Sequence, residues 1–259
     1  MSAHVFSNEN WSRSETSVLY DTIWVKRLGL RLPDFLVKGV FLERTNRFVC
    51  WVEVEGRTEK AHLANSGRLK ELLVPGRPVY LEESFSPHRR THYDMLLIAL
   101  DNTVVSVDAR LPNDLVEEGL RQGILEPFKR YSQIRREVTF GHSRLDFLLQ
   151  NNGQCCYVEV KSITLVEHGK GLFPDAPTER GRQHLLSLIQ ARKDGHQAAI
   201  VFVVQRPDVT GFSPNDKTDP AFGLALREAH KAGVGIYAYR CTVTLREIRI
   251  EKEIPVWLK

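Results

Sequence analysis

This sequence carries no nucleotide-binding loop: it has neither a Walker motif nor a Gly-x-Gly-x-x-Gly after a strand, the usual signatures of an enzyme that spends ATP or a dinucleotide. Its four cysteines, Cys50, Cys155, Cys156 and Cys241, form no Cys-x-x-Cys pair, which argues against a zinc knuckle or a thioredoxin-like redox centre. Cysteines used this way pack as small apolar residues in a reducing compartment. The longest apolar run, Ala198 to Val204, is far too short to span a bilayer, so no membrane association is expected. The first residues are polar, without a basic stretch leading into an apolar one, and the expectation is a cytoplasmic protein. No helix-turn-helix, internal repeat or low-complexity segment is visible. Charge is not extreme either: the formal net charge is +4. That is compatible with a nucleic-acid partner, although clustering on one face is what counts. Basic clusters occur at His88–His92, Lys129–Arg130, Arg135–Arg136 and Arg180–His184, and each taken singly reads as solvated surface.

What the chain does contain is a hairpin with chemistry on it. Ser143–Gln150 and Cys155–Lys161 flank Asn152-Gly153, and that pair suits a two-residue type I′ turn because both positions need positive φ. Such a turn sets Gln154 against Asn151, and counting outward places Glu159 opposite Asp146 and Lys161 opposite Arg144. Directly opposed residues share a face, with Cβ atoms roughly 4.5–5.5 Å apart. Leu145, Phe147 and Leu149 would then join Cys156, Val158 and Val160 on the core face.

Two carboxylates held that close store strain, are neutralised by Lys161, or bind a cation. Hard oxygen ligands suit Mg²⁺ or Mn²⁺ and phosphate chemistry. Glu-x-Lys alone is also what a solvent-facing strand with an exposed ion pair looks like; Asp146 in register is what points beyond that reading, toward a phosphodiesterase site.

Along the chain, residues 1–29 are rich in Ser, Asn and Thr and read as an extension. Residues 30–108 hold six short strand patterns (36–43, 48–55, 58–62, 77–83, 95–100 and 103–107), the rhythm of a small closed barrel such as the OB-fold. A capped helical turn is expected over Asn65–Leu73. Residues 109–259 change to a mixed α/β rhythm: a helix capped by Asn113 and closed by Gly123, three strands, a helix from Thr178 to Gly195, the buried strand 198–204, a helix over 219–232 and a strand over 234–240. The order α-β-β-β-α-β from Asn113 to Val204 implies a mixed sheet between helices.

That order, with Asp on the second strand and Glu-x-Lys on the third, resembles the core of the PD-(D/E)xK nucleases. Phe173–Gly181, Ser143–Phe147, Val158–Ser162, Phe202–Asp208 and Ala238–Cys241, with His62-Leu-Ala-Asn-Ser-Gly-Arg68 in the front half, are similar to the sugar fermentation stimulation protein family. The resemblance runs from about Phe35 to the C-terminus. It implies an N-terminal OB-like β-barrel followed by a nuclease-like mixed sheet flanked by helices, and non-specific DNA binding with a regulatory link to sugar metabolism.

By position, the resemblance makes Asp146, Glu159 and Lys161 the catalytic trio, with Asp146 and Glu159 on a Mg²⁺ or Mn²⁺ ion. It adds Glu118 to the metal shell and Gln183 to the catalytic set. Glu118 also reads as a carboxylate complementing the helix dipole, with Glu117 as its neighbour, and Gln183 as an exposed helix residue. Asn65, Arg68, Arg144, Arg180 and Arg182 are the expected nucleic-acid contacts. For Asn65 and Arg68, a turn built by Asx geometry is the equal alternative, and for Arg180 and Arg182, solvated arginines behind a Thr178 cap. Two functions follow: a DNA-binding protein with a Mg²⁺-dependent nuclease-like site, or a non-catalytic DNA-binding regulator with a vestigial one.

Overall fold

Alternation of inward and outward side chains builds the front half of the molecule, seen in a computed structural model that describes residues 29–85 and 89–259. The expected extension, apart from Gly29, and His88 lie outside the described residues. The strands are β1 (Leu30–Arg31), β2 (Val37–Asn46), β3 (Val49–Val54), β4 (Arg57–His62), β5 (Pro78–Glu83), β6 (Tyr93–Leu100) and β7 (Thr103–Ser106). On β3, Cys50, Val52 and Val54 point inward, and on β5, Val79 and Leu81 do. β2 pairs with both β3 and β5, and β4 meets β6 in parallel at Ala61–Tyr93 and His62–Asp94. That last pairing closes a five-stranded ring around Phe41, Leu63, Leu72, Met95 and Ile98. This is an OB-like barrel.

Of the helical turn expected over Asn65–Leu73 only the end forms, where the Leu69 carbonyl accepts the Leu72 and Leu73 N–H groups at 3.0 and 2.8 Å. Asn65 Oδ1 accepts the Gly67 N–H at 2.8 Å, an Asx turn, and Leu69 sits at φ +52°. Local side-chain bonding of this kind competes with helix, and it holds the residues before Leu69. Leu30 and Arg31 do not join the barrel; β1 pairs with a strand of the second sheet.

The rest of the chain forms α1 (Leu111–Arg121), β8 (Gln133–Phe140), β9 (Ser143–Asn151), β10 (Gln154–Ile163), β11 (Val166–Glu167), β12 (Lys170–Phe173), α2 (Glu179–Lys193), β13 (Gln197–Val204), β14 (Gly211–Pro214), α3 (Pro220–Lys231), β15 (Gly235–Val243) and β16 (Glu247–Ile254). The large sheet has the order β1-β16-β15-β13-β10-β9-β8, with β10, β13 and β15 parallel. β11, β12 and β14 make a separate ribbon that the sequence reading lacks. β13 explains the sandwich. Ala199, Val201 and Val203 enter the core with Leu115 and Val116 of α1, whereas Ala198, Ile200, Phe202 and Val204 enter the core with Leu185 and Leu188 of α2 and Phe222 of α3. A strand covered on both faces needs no polar alternation. Cys156 and Cys241 are buried in the first core and pack as apolar residues. Among the described residues no helix is long and apolar enough to cross a membrane.

Helix ends follow their local chemistry. Thr178 caps α2, accepting the Gly181 N–H at 3.0 Å, and Asp219 caps α3 through Phe222 N–H at 3.0 Å. α1 starts three residues earlier than expected, with Pro112 in its first turn. Asn113 is therefore its third residue and not its cap.

The barrel and the second sheet are bolted together by polar groups. Gln205 is fully buried and reaches Ser106 Oγ (3.1 Å), the Asp108 carbonyl (3.1 Å) and Ser162 Oγ (3.0 Å). Asp175 Oδ2 accepts the Leu69 N–H at 2.7 Å, tying the barrel's Asn65–Leu69 loop to the segment that leads into α2.

Candidate active site

The Asn-Gly turn sets the register on which everything at the site depends. Asn152 and Gly153 adopt φ +47° and +78°, and the ladder runs from Gln154–Asn151 to Val158–Phe147, the spacing a two-residue turn dictates. Beyond Phe147 the ladder stops. Asp146 turns its own carboxylate into the gap, and Oδ2 accepts the Val160 N–H at 2.7 Å.

A change of face accompanies this. Phe147 and Leu149 lie in the α1 core but Leu145 lies in the α2–α3 core, so the three do not share one face as expected. β8 shows the same switch between Ile134 and Phe140, across Glu137 at φ +53°. Glu137 stands opposite Asp146 in the β8–β9 register, between the pairs Arg136–Phe147 and Val138–Leu145. A left-handed residue within a strand breaks its alternation, and here it frees Asp146 from the sheet.

Two helices then grip the two carboxylates. From α1, Asn113 Nδ2 donates to Asp146 Oδ1 at 2.8 Å. From α2, His184 Nδ1 meets Glu159 Oε1, and Lys161 Nζ meets the same oxygen. Lys161 Nζ also lies 3.3 Å from His184 Nδ1. With the Nδ1 proton directed at Glu159, Nε2 is left to accept the Nε–H of Arg180, 3.4 Å away. Glu159 and His184 are buried, with 2% and 5% of their surface exposed. Glu159 Oε2 is buried too and has no hydrogen-bond partner among the described residues.

The electrostatics of the two acids run in opposite directions. Burial, and then the neighbouring Glu159 charge, push the Asp146 carboxyl above its ordinary range, against the Val160 N–H, Lys161 and Asn113. Burial also works to raise the Glu159 carboxyl, but bonds and charges from His184 and Lys161 outweigh it and hold that group below its ordinary value. Asp146 is a carboxylate short of positive charge, and Glu159 is one well supplied on a single oxygen.

A divalent ion fits this donor set. An orphaned carboxylate oxygen beside a carboxylate whose charge is disfavoured is what a hard cation would relieve. Among the described residues no group of three His, Cys, Asp or Glu side chains forms a metal cage. Mg²⁺ takes one or two carboxylates and completes its shell with waters and substrate phosphates.

Not every expected residue joins this cluster. Gln183 is exposed and donates to Glu179 at 3.3 Å; the neighbour that turns inward is His184. Consecutive helix residues point about 100° apart, and the buried face of α2 runs through Gly181, His184, Leu185 and Leu188. That apolar spacing was the available signal for His184. Glu118 does not reach Asp146 or Glu159: its Oε1 accepts from Gly29 N–H at 2.9 Å and Gln122 Nε2 at 3.0 Å. Glu117 pairs with Arg121 at 2.6 Å and Arg136 at 3.0 Å.

Arg144 is exposed, its closest acidic partner Glu137 at 3.4 Å, and it pairs across the sheet with Thr139 of β8. Arg182 pairs with Glu179 one turn back. Arg180 is exposed at the rim of the cluster through His184. Asn65 is buried; it builds the Asx turn and donates to the Val107 carbonyl at 3.0 Å, so the turn reading holds for it. Arg68 is exposed, beside Arg44 and Lys70 along a shallow groove of the barrel.

Comparison with known proteins agrees with this architecture. Residues 42–107 match the family domain described as the "SfsA N-terminal OB domain", and residues 110–247 match the "Sugar fermentation stimulation protein RE domain". A sugar fermentation stimulation protein homolog of Moorella thermoacetica is 50% identical over 232 residues, 89% of this chain and 99% of the relative. One from Desulforamulus reducens is 45% identical over 227 residues, 88% and 94% of the two chains. Among solved structures, Pyrococcus furiosus SfsA in complex with Ca²⁺ superposes with a TM-score of 0.82 at 34% identity, covering 89% of this chain and 99% of that one.

Proposed function

The chain belongs to the sugar fermentation stimulation protein family, and from that membership we propose that it is a DNA-binding protein with a Mg²⁺- or Mn²⁺-dependent, nuclease-like phosphodiester-cleaving site. One observation carries the cleavage reading: Glu159, whose Oε2 is buried and unpartnered among the described residues, neighbours both Asp146 and Lys161. The description of the archaeal relative as a Ca²⁺ complex adds support.

Asp146 and Glu159 would hold the ion. Bound there, it would polarise a phosphoryl oxygen and supply hydroxide near neutral pH. The chain's own groups do the rest. Asn113 and the Val160 N–H fix the Asp146 carboxylate, and Lys161 is placed to orient water or offset charge gathering at phosphorus. Arg180, exposed at the rim, is positioned to meet a backbone phosphate. The barrel, with Arg68 and Lys70 on its surface, would track the sugar-phosphate backbone, an electrostatic contact that weakens steeply with salt.

The test incubates the protein and its Glu159→Ala variant, both shown folded by circular dichroism, with supercoiled plasmid and single-stranded DNA in Mg²⁺ or Mn²⁺. Wild type should nick, EDTA should stop it, and the variant should not nick. Equal nicking by both proteins refutes the assignment.

A second reading has its own observation. Glu159 is already paired with Lys161 and His184, and no third acidic group joins Asp146 among the described residues. A non-catalytic DNA-binding regulator would keep such a closed pair. It would retain DNA in a salt-dependent way and show no divalent-dependent nicking.

A further inference from the structure

Lys161 Nζ and His184 Nδ1 both contact one oxygen of Glu159, Oε1, and leave the other, Oε2, buried and bare. That asymmetry needs a cause. A lysine on a flexible stem has three donors and no directional fork, so alone it would sit across both oxygens of a carboxylate. A histidine held rigidly at one oxygen prevents that. It fixes the plane of the carboxylate and turns the second oxygen away.

We infer that His184 is a positioning residue that ties Glu159 Oε1 to helix α2 and thereby aims Oε2 at the place a divalent ion would take. The inference rests on the metal-site reading above. His184 is well placed for this task. It projects from the buried face of α2 between Gly181 and Leu188, and α2 is clamped at its start twice: Thr178 Oγ1 caps Gly181 N–H at 3.0 Å, and the Thr178 N–H donates to Asp219 Oδ2 at 2.8 Å. The ring cannot swing, because Nδ1 faces Glu159 and Nε2 takes the Arg180 Nε–H at 3.4 Å. Groups that orient a metal ligand from behind typically change metal affinity 10–100-fold when removed.

The experiment measures Mn²⁺ affinity by titration calorimetry on the full chain without nucleic acid, for wild type, Glu159→Ala, His184→Leu, His184→Asn and His184→Gln. Melting in EDTA reports whether each variant is folded. His184→Leu should bind Mn²⁺ about 10–100-fold more weakly than wild type. His184→Asn, whose amide nitrogen falls near the Nδ1 position, should recover most of the affinity. His184→Gln, whose amide nitrogen falls near Nε2 instead, should lose it as leucine does, and it stands in for leucine where that variant does not fold. A purely structural role for His184 would lower the melting temperature and leave the affinity of the folded variants alone. Wild-type affinity in the folded leucine or glutamine variant, with Glu159→Ala impaired, overturns the inference and spares the site. Equal binding by wild type and Glu159→Ala, or no binding by wild type, overturns the site itself and the inference with it.

Discussion

Asp146→Asn should lose divalent-dependent DNA cleavage on the order of 10²–10³-fold while folding with equal or greater stability at neutral pH. The loss follows from removing one of two charged ligands. The stability follows from the position of Asp146, whose carboxyl is raised by burial and by the Glu159 charge, so its ionised form is a net burden on the fold. Asparagine lifts that burden without emptying the site. Its oxygen can accept the Val160 N–H, and Asn113 can turn its amide over to present an oxygen where it now presents Nδ2. The sign with pH is fixed. An acid whose folded pKa lies above its unfolded one costs nothing when both states are protonated, and the cost builds as pH rises through the ordinary aspartate value of about 3.9 and then the folded value. Wild type should therefore match Asp146→Asn in acid and fall behind it toward neutrality. Urea denaturation in EDTA across pH checks this; a variant less stable than wild type at pH 7 would contradict it.

Glu159→Ala should behave in the opposite way, losing about 3 kcal/mol of stability at neutral pH. Breaking a buried ion pair costs about 3–5 kcal/mol when it strands a charge, and here it strands Lys161 and leaves His184 without its acceptor. The low end applies because Asp146 remains as a neighbour for Lys161 and is itself relieved of the Glu159 charge. Since the Glu159 carboxyl lies below its ordinary value, its contribution is full above the unfolded glutamate value of about 4.3 and lost as pH falls through the folded value. The gap between wild type and variant should close in acid. Loss of nicking in Glu159→Ala is accordingly read beside Asp146→Asn, which loses the reaction without losing the fold.

How much of this was legible in the sequence depended on whether a feature was set by neighbours in the chain or by the packing of distant elements. The Asn152-Gly153 turn, the register to Val158–Phe147, the Thr178 cap and the doubly covered strand of Ala198–Val204 are local, and the residues declare them. The proposed trio of Asp146, Glu159 and Lys161 came from that register together with a family resemblance. What supports the trio did not. Asn113 reads as a helix cap from its place ahead of Leu115, Val116 and Leu120, and only the packing of α1 on the sheet turns it to Asp146. Gln183 and His184 are adjacent, and the rotation of α2 decides which faces inward. Glu137 at φ +53° has no signature, since glutamate is not a residue that seeks left-handed backbone. β16 was missed because Ile248 and Ile250 alternate properly but Glu251-Lys252-Glu253 then hides the pattern before Ile254.

Crystals of the protein soaked in Mn²⁺ and measured at the manganese absorption edge test the central claim most directly. A single strong anomalous peak within coordination distance of both Asp146 and Glu159 Oε2, absent from Asp146→Asn crystals treated alike, is the predicted result. A peak elsewhere, or none, with Lys161 and His184 still closed on Glu159, would contradict it.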